Sequence, residues 1–262
     1  MTSSNTALIT GASSGIGLEL AHVHAKQGGD LVVVARSIDK LVALKEELEN
    51  TYAINVLVVA VDLSQPDAAK RVYDQTELNN IEIEVLINNA GFGGHGEFHQ
   101  RDINADKAMI QVNITTLTEL THYYLKGMVA RNSGKILNVS STASFMPGPL
   151  QSVYYATKAY VTSFTQAIAQ ELEAYNVTAT ALCPGAVATD FVKAGDLDGV
   201  GVWDNAKTAQ SVAQVGYRAM QNGELVAFNE SGLKFLVNWI TPLLPRKLVL
   251  KLSRQAMEKT AG

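Results

Sequence analysis

The chain has 262 residues, is 47% hydrophobic and carries a formal net charge of −4. That length and apolar content suffice for one α/β domain with a full core, and the lack of a basic surplus gives no pointer to nucleic acid. The single cysteine, Cys183, excludes an internal disulfide; it suits a reducing compartment and, lying in an apolar run, reads as a small buried hydrophobe rather than a nucleophile.

The opening Met1-Thr2-Ser3-Ser4-Asn5 lacks a basic region followed by a long apolar core, which reads against a secretory signal. A first strand is predicted at Ala7–Ile9, and a glycine-rich turn leads from it into a helix over about 15–28 that Gly28-Gly29 ends. Strands then alternate with helices: Leu31–Val34, a helix at 38–50, Val56–Val59, a helix at 66–79, Val85–Ile87 and a long helix at 102–131. Ile136–Val139, a helix at 153–175 with Ser152 as N-cap, Val177–Leu182, a helix at 206–222 and a weaker strand at Leu225–Ala227 complete the series. The strand runs are nearly continuous in apolar residues, the pattern of strands covered on both faces. The alternation predicts one domain over residues 1–262, an α/β, doubly wound (Rossmann-type) parallel sheet of about seven strands with helices on both faces. Right-handed crossovers in such a sheet place ligands at the carboxyl ends of the strands. The longest apolar-rich stretch, Phe235–Leu244, contains Asn238 and Pro242 and is too short to span a bilayer. The expected location is the cytoplasm.

Two constellations fall at those strand ends. In Thr10-Gly11-Ala12-Ser13-Ser14-Gly15-Ile16-Gly17 the glycines let backbone approach a pyrophosphate, while the helix N-terminus offers free N–H groups and a positive dipole end. The spacing is G-x-x-x-G-x-G, so a plain tight turn remains an alternative. The second predicted strand ends in Val34-Ala35-Arg36-Ser37, with no carboxylate for a ribose 2′-hydroxyl. Arg36 can instead pair with a 2′-phosphate, which favours NADP(H) over NAD(H), the alternative being a solvated surface arginine. Asp62 and Asn88-Asn89-Ala90-Gly91 follow the third and fourth strands, where they can meet adenine and ribose or serve as ordinary turn residues. Further on, Tyr154 and Lys158 share a helix face. A nearby ammonium lowers a phenol's pKa, so this tyrosine can exchange a proton with a substrate oxygen that Ser141 hydrogen-bonds.

With these residues in view, the chain resembles the short-chain dehydrogenase/reductase family in its compact single-domain form. The resemblance rests on Thr10–Gly17, Asp62, Asn88–Gly91, Asn113, Asn138-Val139-Ser140-Ser141, Tyr154-Tyr155-Ala156-Thr157-Lys158 and Pro184-Gly185-Ala186-Val187-Ala188-Thr189, in order over roughly residues 5–190. It implies an NADP(H)-dependent oxidoreductase that interconverts a ketone or aldehyde and its alcohol. By that resemblance Tyr154 is the acid/base and Ser141, rather than Ser140, orients the substrate oxygen. Lys158 binds the nicotinamide ribose and lowers the tyrosine pKa, and Asn113 anchors through its backbone a water that relays protons. Gly11, Ser13, Ser14, Gly15, Ile16, Gly17, Arg36, Asp62, Asn89, Gly91, Pro184 and Gly185 hold the dinucleotide, with Val187 and Thr189 at the carboxamide. It implies no metal, and His22, His24, His95, His99 and His122 show no ligand spacing. A homodimer or homotetramer through the helices at 102–131 and 153–175 is implied as well.

Residues 190–205, with Gly195, Gly199 and Gly201, read as a mobile substrate loop. Phe92, Phe145, Met146, Phe191, Val192 and Trp203 are candidates for an apolar pocket, which points to a neutral, hydrophobic carbonyl substrate. The extension at 229–262 begins apolar and turns basic. Covering the pocket or joining a subunit interface is favoured over lying on a membrane surface, with a plain packing extension as the third reading. Two rivals stand beside the oxidoreductase: a non-catalytic NADP(H)-sensing regulator on the same fold, and an epimerase or dehydratase.

Overall fold

The computed structural model describes residues 5–259; the reading of Met1 to Ser4 as signal-free and the last three residues of the extension lie outside them. Nine strands form among the described residues: β1 (Ala7–Thr10), β2 (Leu31–Ala35), β3 (Val56–Ala60), β4 (Val85–Asn88), β5 (Gly134–Val139), β6 (Val177–Leu182), β7 (Val187–Ala188), β8 (Lys207–Thr208) and β9 (Val226–Ala227). Seven of them make one sheet in the order β3-β2-β1-β4-β5-β6-β9, every pair parallel. β7 and β8, which pattern reading does not anticipate, pair in parallel as a separate two-stranded ribbon after β6.

Helices are α1 (Gly15–Lys26), α2 (Ile38–Tyr52), α3 (Ala68–Leu78), α4 (Ile103–Ile110), α5 (Leu117–Arg131), α6 (Ser152–Glu171), α7 (Phe191–Ala194), α8 (Ala209–Gln221), α9 (Ser231–Phe235) and α10 (Arg246–Met257). Alternation along β1 decides which face each covers. Ala7 and Ile9 join Val33, Ile87 and Leu137 in a core closed by α1, α2 and α8. Leu8 joins Val32, Leu86 and Ile136 in a second core closed by α3, α5 and α6. Both faces are therefore dry, which is why the strands lack polar alternation. The chain leaves β1 toward β2 and β3 on one side, then returns to β4 on the other. That reversal opens a crevice at the carboxyl ends of β1 and β4.

Three local expectations are corrected. The helix predicted at 102–131 is interrupted: Gln111–Thr116 winds as a π-helix between α4 and α5, a wider turn common at functional sites. Ser152 is the first helical residue of α6 rather than its cap, and the cap position, Gln151, makes no capping hydrogen bond. The last predicted helix starts later than 206, because Thr208 caps α8 by accepting from the Ser211 N–H.

Candidate active site

The crevice is a cavity of about 960 Å³ that runs from the first glycine turn to the C-terminal helix. Its dinucleotide-sized end is built by glycine geometry. Gly11 and Gly15 sit at φ +67° and +55°, and a Cβ on Gly11 would stand 2.8 Å from Asn89 Nδ2. Gly17 does not line the cavity. It is buried, and a Cβ there would meet the Gly11 carbonyl oxygen at 2.3 Å, so its lack of a side chain lets α1 seat on the turn. The turn is tied to β4 across the crevice: Asn89 Nδ2 donates to the Thr10 carbonyl, and the Asn89 and Ala90 N–H groups donate to Thr10 Oγ1. Ser13, Ser14, Gly15 and Ile16 line the cavity at the N-terminus of α1, where no side chain caps the helix. Open N–H groups beside a glycine cradle fit a pyrophosphate.

At the end of β2, Arg36 lines the same cavity, together with Ser37 and Lys40, a second cation that pattern reading did not single out. Arg36 makes no hydrogen bond or ion pair among the described residues. Asp62 also lines it. Burial raises its carboxyl, but hydrogen bonds from Ser64 and Gln65, with the charge of Arg36, outweigh burial and hold it below the usual carboxylate value. Of the asparagine pair, Asn89 faces the cavity while Asn88 is buried behind it, donating to Thr121 Oγ1 and Asn138 Oδ1. Gly91, Pro184, Gly185, Val187 and Thr189 are on the cavity wall.

The middle of the cavity gathers the polar residues of β5 and α6. Tyr154 and Lys158, one turn apart on α6, and Ser141, just past β5, all line it and are all buried. Lys158 Nζ donates to the Val139 carbonyl at 2.8 Å and lies 5.8 Å from the Tyr154 ring centre. Ser140 is engaged elsewhere, its hydroxyl donating to the Lys158 carbonyl and meeting Thr162 Oγ1 at 2.6 Å. Ser141 Oγ instead accepts from the Ala143 N–H and sits 3.5 Å from the Pro184 carbonyl. Burial pushes the Tyr154 phenol well above its ordinary value, with the Ser141 hydroxyl offsetting part of that rise. Desolvation of the phenolate dominates, so the net shift runs opposite to the lowering expected from Lys158. Desolvation likewise pushes Lys158 down to about 8.

Asn113 lies in the π turn and does not line the cavity. Its Oδ1 accepts from the Phe92 N–H, and its Nδ2 donates to the Phe92 carbonyl and to Thr157 Oγ1. A Cβ on Gly91 would stand 3.1 Å from Asn113 Oδ1 and 3.3 Å from Lys158 Nζ, so these three crowd together.

Phe92, Met146, Phe191 and Trp203 wall the far end, Phe191 lying 5.3 Å from the Tyr154 ring and 6.4 Å from Trp203. Phe145 and Val192 are not on the wall: Phe145 packs on Phe228, and Val192 packs with Leu197 and Val200. Part of the remaining wall comes from Glu230, Leu233, Ser253, Ala256 and Met257 of the C-terminal extension. The spacing of buried residues along α10, Val249, Ser253 and Met257, is helical, but nothing in it names the surface they cover.

The short chain dehydrogenase family model matches residues 5–198. A very-long-chain 3-oxoacyl-CoA reductase of Macaca fascicularis is 32% identical over 97% of this chain and 80% of its own length. A 7beta-hydroxysteroid dehydrogenase of Mediterraneibacter gnavus is 30% identical over 88% and 89% of the two chains. Among solved structures, a short-chain dehydrogenase from Sphingobium yanoikuyae in complex with NADPH superposes with a TM-score of 0.82 at 31% identity, covering 88% of this chain and 89% of its own. Fold, cavity and relatives agree, and the chain is a member of the short-chain dehydrogenase family of oxidoreductases.

Proposed function

We propose that the protein is an NADP(H)-dependent reductase of a bulky, apolar ketone or aldehyde, running in reverse on the corresponding alcohol. The carrying observation is the convergence of Tyr154, Ser141 and Lys158 on one buried wall between the glycine cradle and the aromatic end of the cavity. The cofactor's phosphates fit the turn Gly11–Gly15 and the uncapped N-terminus of α1, and Arg36 and Lys40 suit a 2′-phosphate. The structural relatives in complex with NADPH support that choice. When bound, the nicotinamide supplies the hydride.

The chain's own residues do the rest. Tyr154, held protonated by burial, donates its proton to the carbonyl oxygen as negative charge develops there. Ser141 Oγ–H hydrogen-bonds the same oxygen and fixes its distance from the phenol. Lys158, charged below about pH 8, stabilises the phenolate left behind and binds the ribose hydroxyls. Asn113, whose side chain ties the π turn to the Phe92 backbone and to Thr157, anchors through its own backbone a water that relays protons from Lys158. Phe92, Met146, Phe191 and Trp203 exclude water and set the preference for an apolar substrate. Residues 190–205 close over it. Relatives named as 3-oxoacyl-CoA reductases and hydroxysteroid dehydrogenases act on ketones with large apolar bodies, in keeping with this wall. A homodimer or homotetramer through α4, α5 and α6 completes the proposal. Exposed Ile103, Ile110 and Tyr160 lie on those helices.

The test is NADPH oxidation with a panel of apolar ketones by the wild type and Tyr154→Phe. The variant is expected to bind NADPH normally and to lose turnover by on the order of 100-fold or more. Retained turnover in the variant, or NADPH binding with no reduction of any carbonyl, would overturn the mechanism; the second result favours a cofactor-sensing regulator.

A further inference from the structure

Ser231 to Met257 contains five cations and no carboxylate, in a chain of net charge −4. Only Arg254 among these cations is paired, to Glu97 and Glu258; Lys234, Arg246, Lys247 and Lys251 make no ion pair among the described residues. The same segment presents large apolar side chains to solvent. Phe235 is 59% exposed, Trp239 67% and Leu243 82%, with Leu236 and Ile240 beside them and Leu248 and Leu252 one turn apart on α10. Phe235, Trp239 and Leu243 lie at the end of α9, in a π turn (Leu236–Ile240) and in a short 3-10 turn (Thr241–Leu243). The buried side of the segment, meanwhile, belongs to the cavity: Leu233, Ser253, Ala256 and Met257 line it, and the π turn packs on the Thr142–Phe145 turn that follows Ser141.

We propose that this segment is an interfacial anchor that seats the mouth of the cavity on an anionic lipid surface, from which the enzyme draws a bilayer-dissolved carbonyl substrate. Charge selects the occupant. A two-fold contact of the segment with its own copy would oppose unpaired cations with no carboxylate from either segment to meet them. An anionic leaflet offers both what the cations lack and an apolar layer for Phe235, Trp239 and Leu243, with Trp239 suited to headgroup depth. No helix among the described residues is long and apolar enough to cross a membrane, so the contact lies in the plane of the surface. The delivery of substrate, though not the docking, rests on the reductase reading above.

Flotation of the full-length protein tests it, with vesicles of phosphatidylcholine alone and of phosphatidylcholine with phosphatidylserine. Binding is expected only with phosphatidylserine, weakened by salt, and lost in Trp239→Ser/Leu243→Ser. Lys247→Glu/Lys251→Glu is expected to bind at least about tenfold more weakly. Long-chain ketone held in phosphatidylserine vesicles should be reduced faster by wild type than by either variant. A water-soluble ketone without vesicles should be reduced equally by all three, since none of these residues lines the cavity. No binding to phosphatidylserine vesicles, undiminished binding by both variants, or a loss of native mass in Trp239→Ser/Leu243→Ser without lipid binding by wild type would overturn the anchor. If the soluble ketone is reduced in any of those cases, the reductase reading survives alone.

Discussion

Arg36 lines the cavity without a hydrogen bond or ion pair among the described residues, with only the charge of Asp62 felt nearby, so under the proposal it is free to form charge-assisted hydrogen bonds to a 2′-phosphate. Arg36→Ala is expected to raise the KM for NADPH by on the order of 10- to 100-fold, the equivalent of about 1.5–3 kcal/mol, and to leave the KM for NADH nearly unchanged. An equal rise for both cofactors would put Arg36 outside 2′-phosphate recognition. The proposed role of Lys158 implies a pH range. Its proton is lost as pH rises through about 8, because burial depresses it from the ordinary lysine value. The kcat/KM for NADPH should therefore fall on the alkaline side of about pH 8, and Lys158→Met should lose that limb along with most activity. A profile flat to pH 10 would place the charge elsewhere. At this scale the sequence was most informative, since Tyr154 and Lys158 are placed by helical geometry alone and Ser141 by the end of a strand. Phe145 and Val192 were misplaced because apolar residues near a pocket carry no mark of direction; the Phe145 ring turns to Phe228 instead.

Among the elements, the turn from β1 into α1 combines close packing with the proposed cofactor cradle. Gly17→Ala forces a methyl against the Gly11 carbonyl and the Asn89 amide, the amide donating both to that carbonyl and to the Thr10 carbonyl. It is expected to destabilise the fold measurably in urea and to weaken NADPH binding through the displaced turn. Unchanged stability would mean that α1 can slide away from the sheet. The alternation of strands and helices was legible because continuous apolar runs have few other uses. The π turn at Gln111–Thr116 was not, since its apolar spacing resembles that of an ordinary helix. What distinguishes it is the pairing of Asn113 with Phe92 and Thr157, a contact between segments far apart in the chain. The cavity wall given by α10 was hidden for the same reason: burial periodicity names a face, and only docking names what that face covers.

Across the whole molecule, His24 joins the N-terminal strand to α8, one ring nitrogen meeting the Asn5 carbonyl and the other the Tyr217 hydroxyl. Burial holds its pKa below 6.5, so the unfolded chain binds the proton more readily. Stability is therefore complete above pH 6.5 and declines as pH falls below it. Urea midpoints measured from pH 8 to pH 5 should show this decline, and His24→Gln should flatten it; an equal slope in the variant would assign the loss to other groups. The far side of the molecule is fastened differently. His95 reaches the Met257 carbonyl, Arg254 pairs with Glu97, and Lys259 pairs with Asp196, tying α10 and the residues after it to the two loops beside the cavity. The two ion pairs are solvent-exposed and so are screened by water and salt. The C-terminal edge of the cavity is thus fastened by contacts at the surface and the sheet by two buried cores, so high salt should loosen the former before the latter.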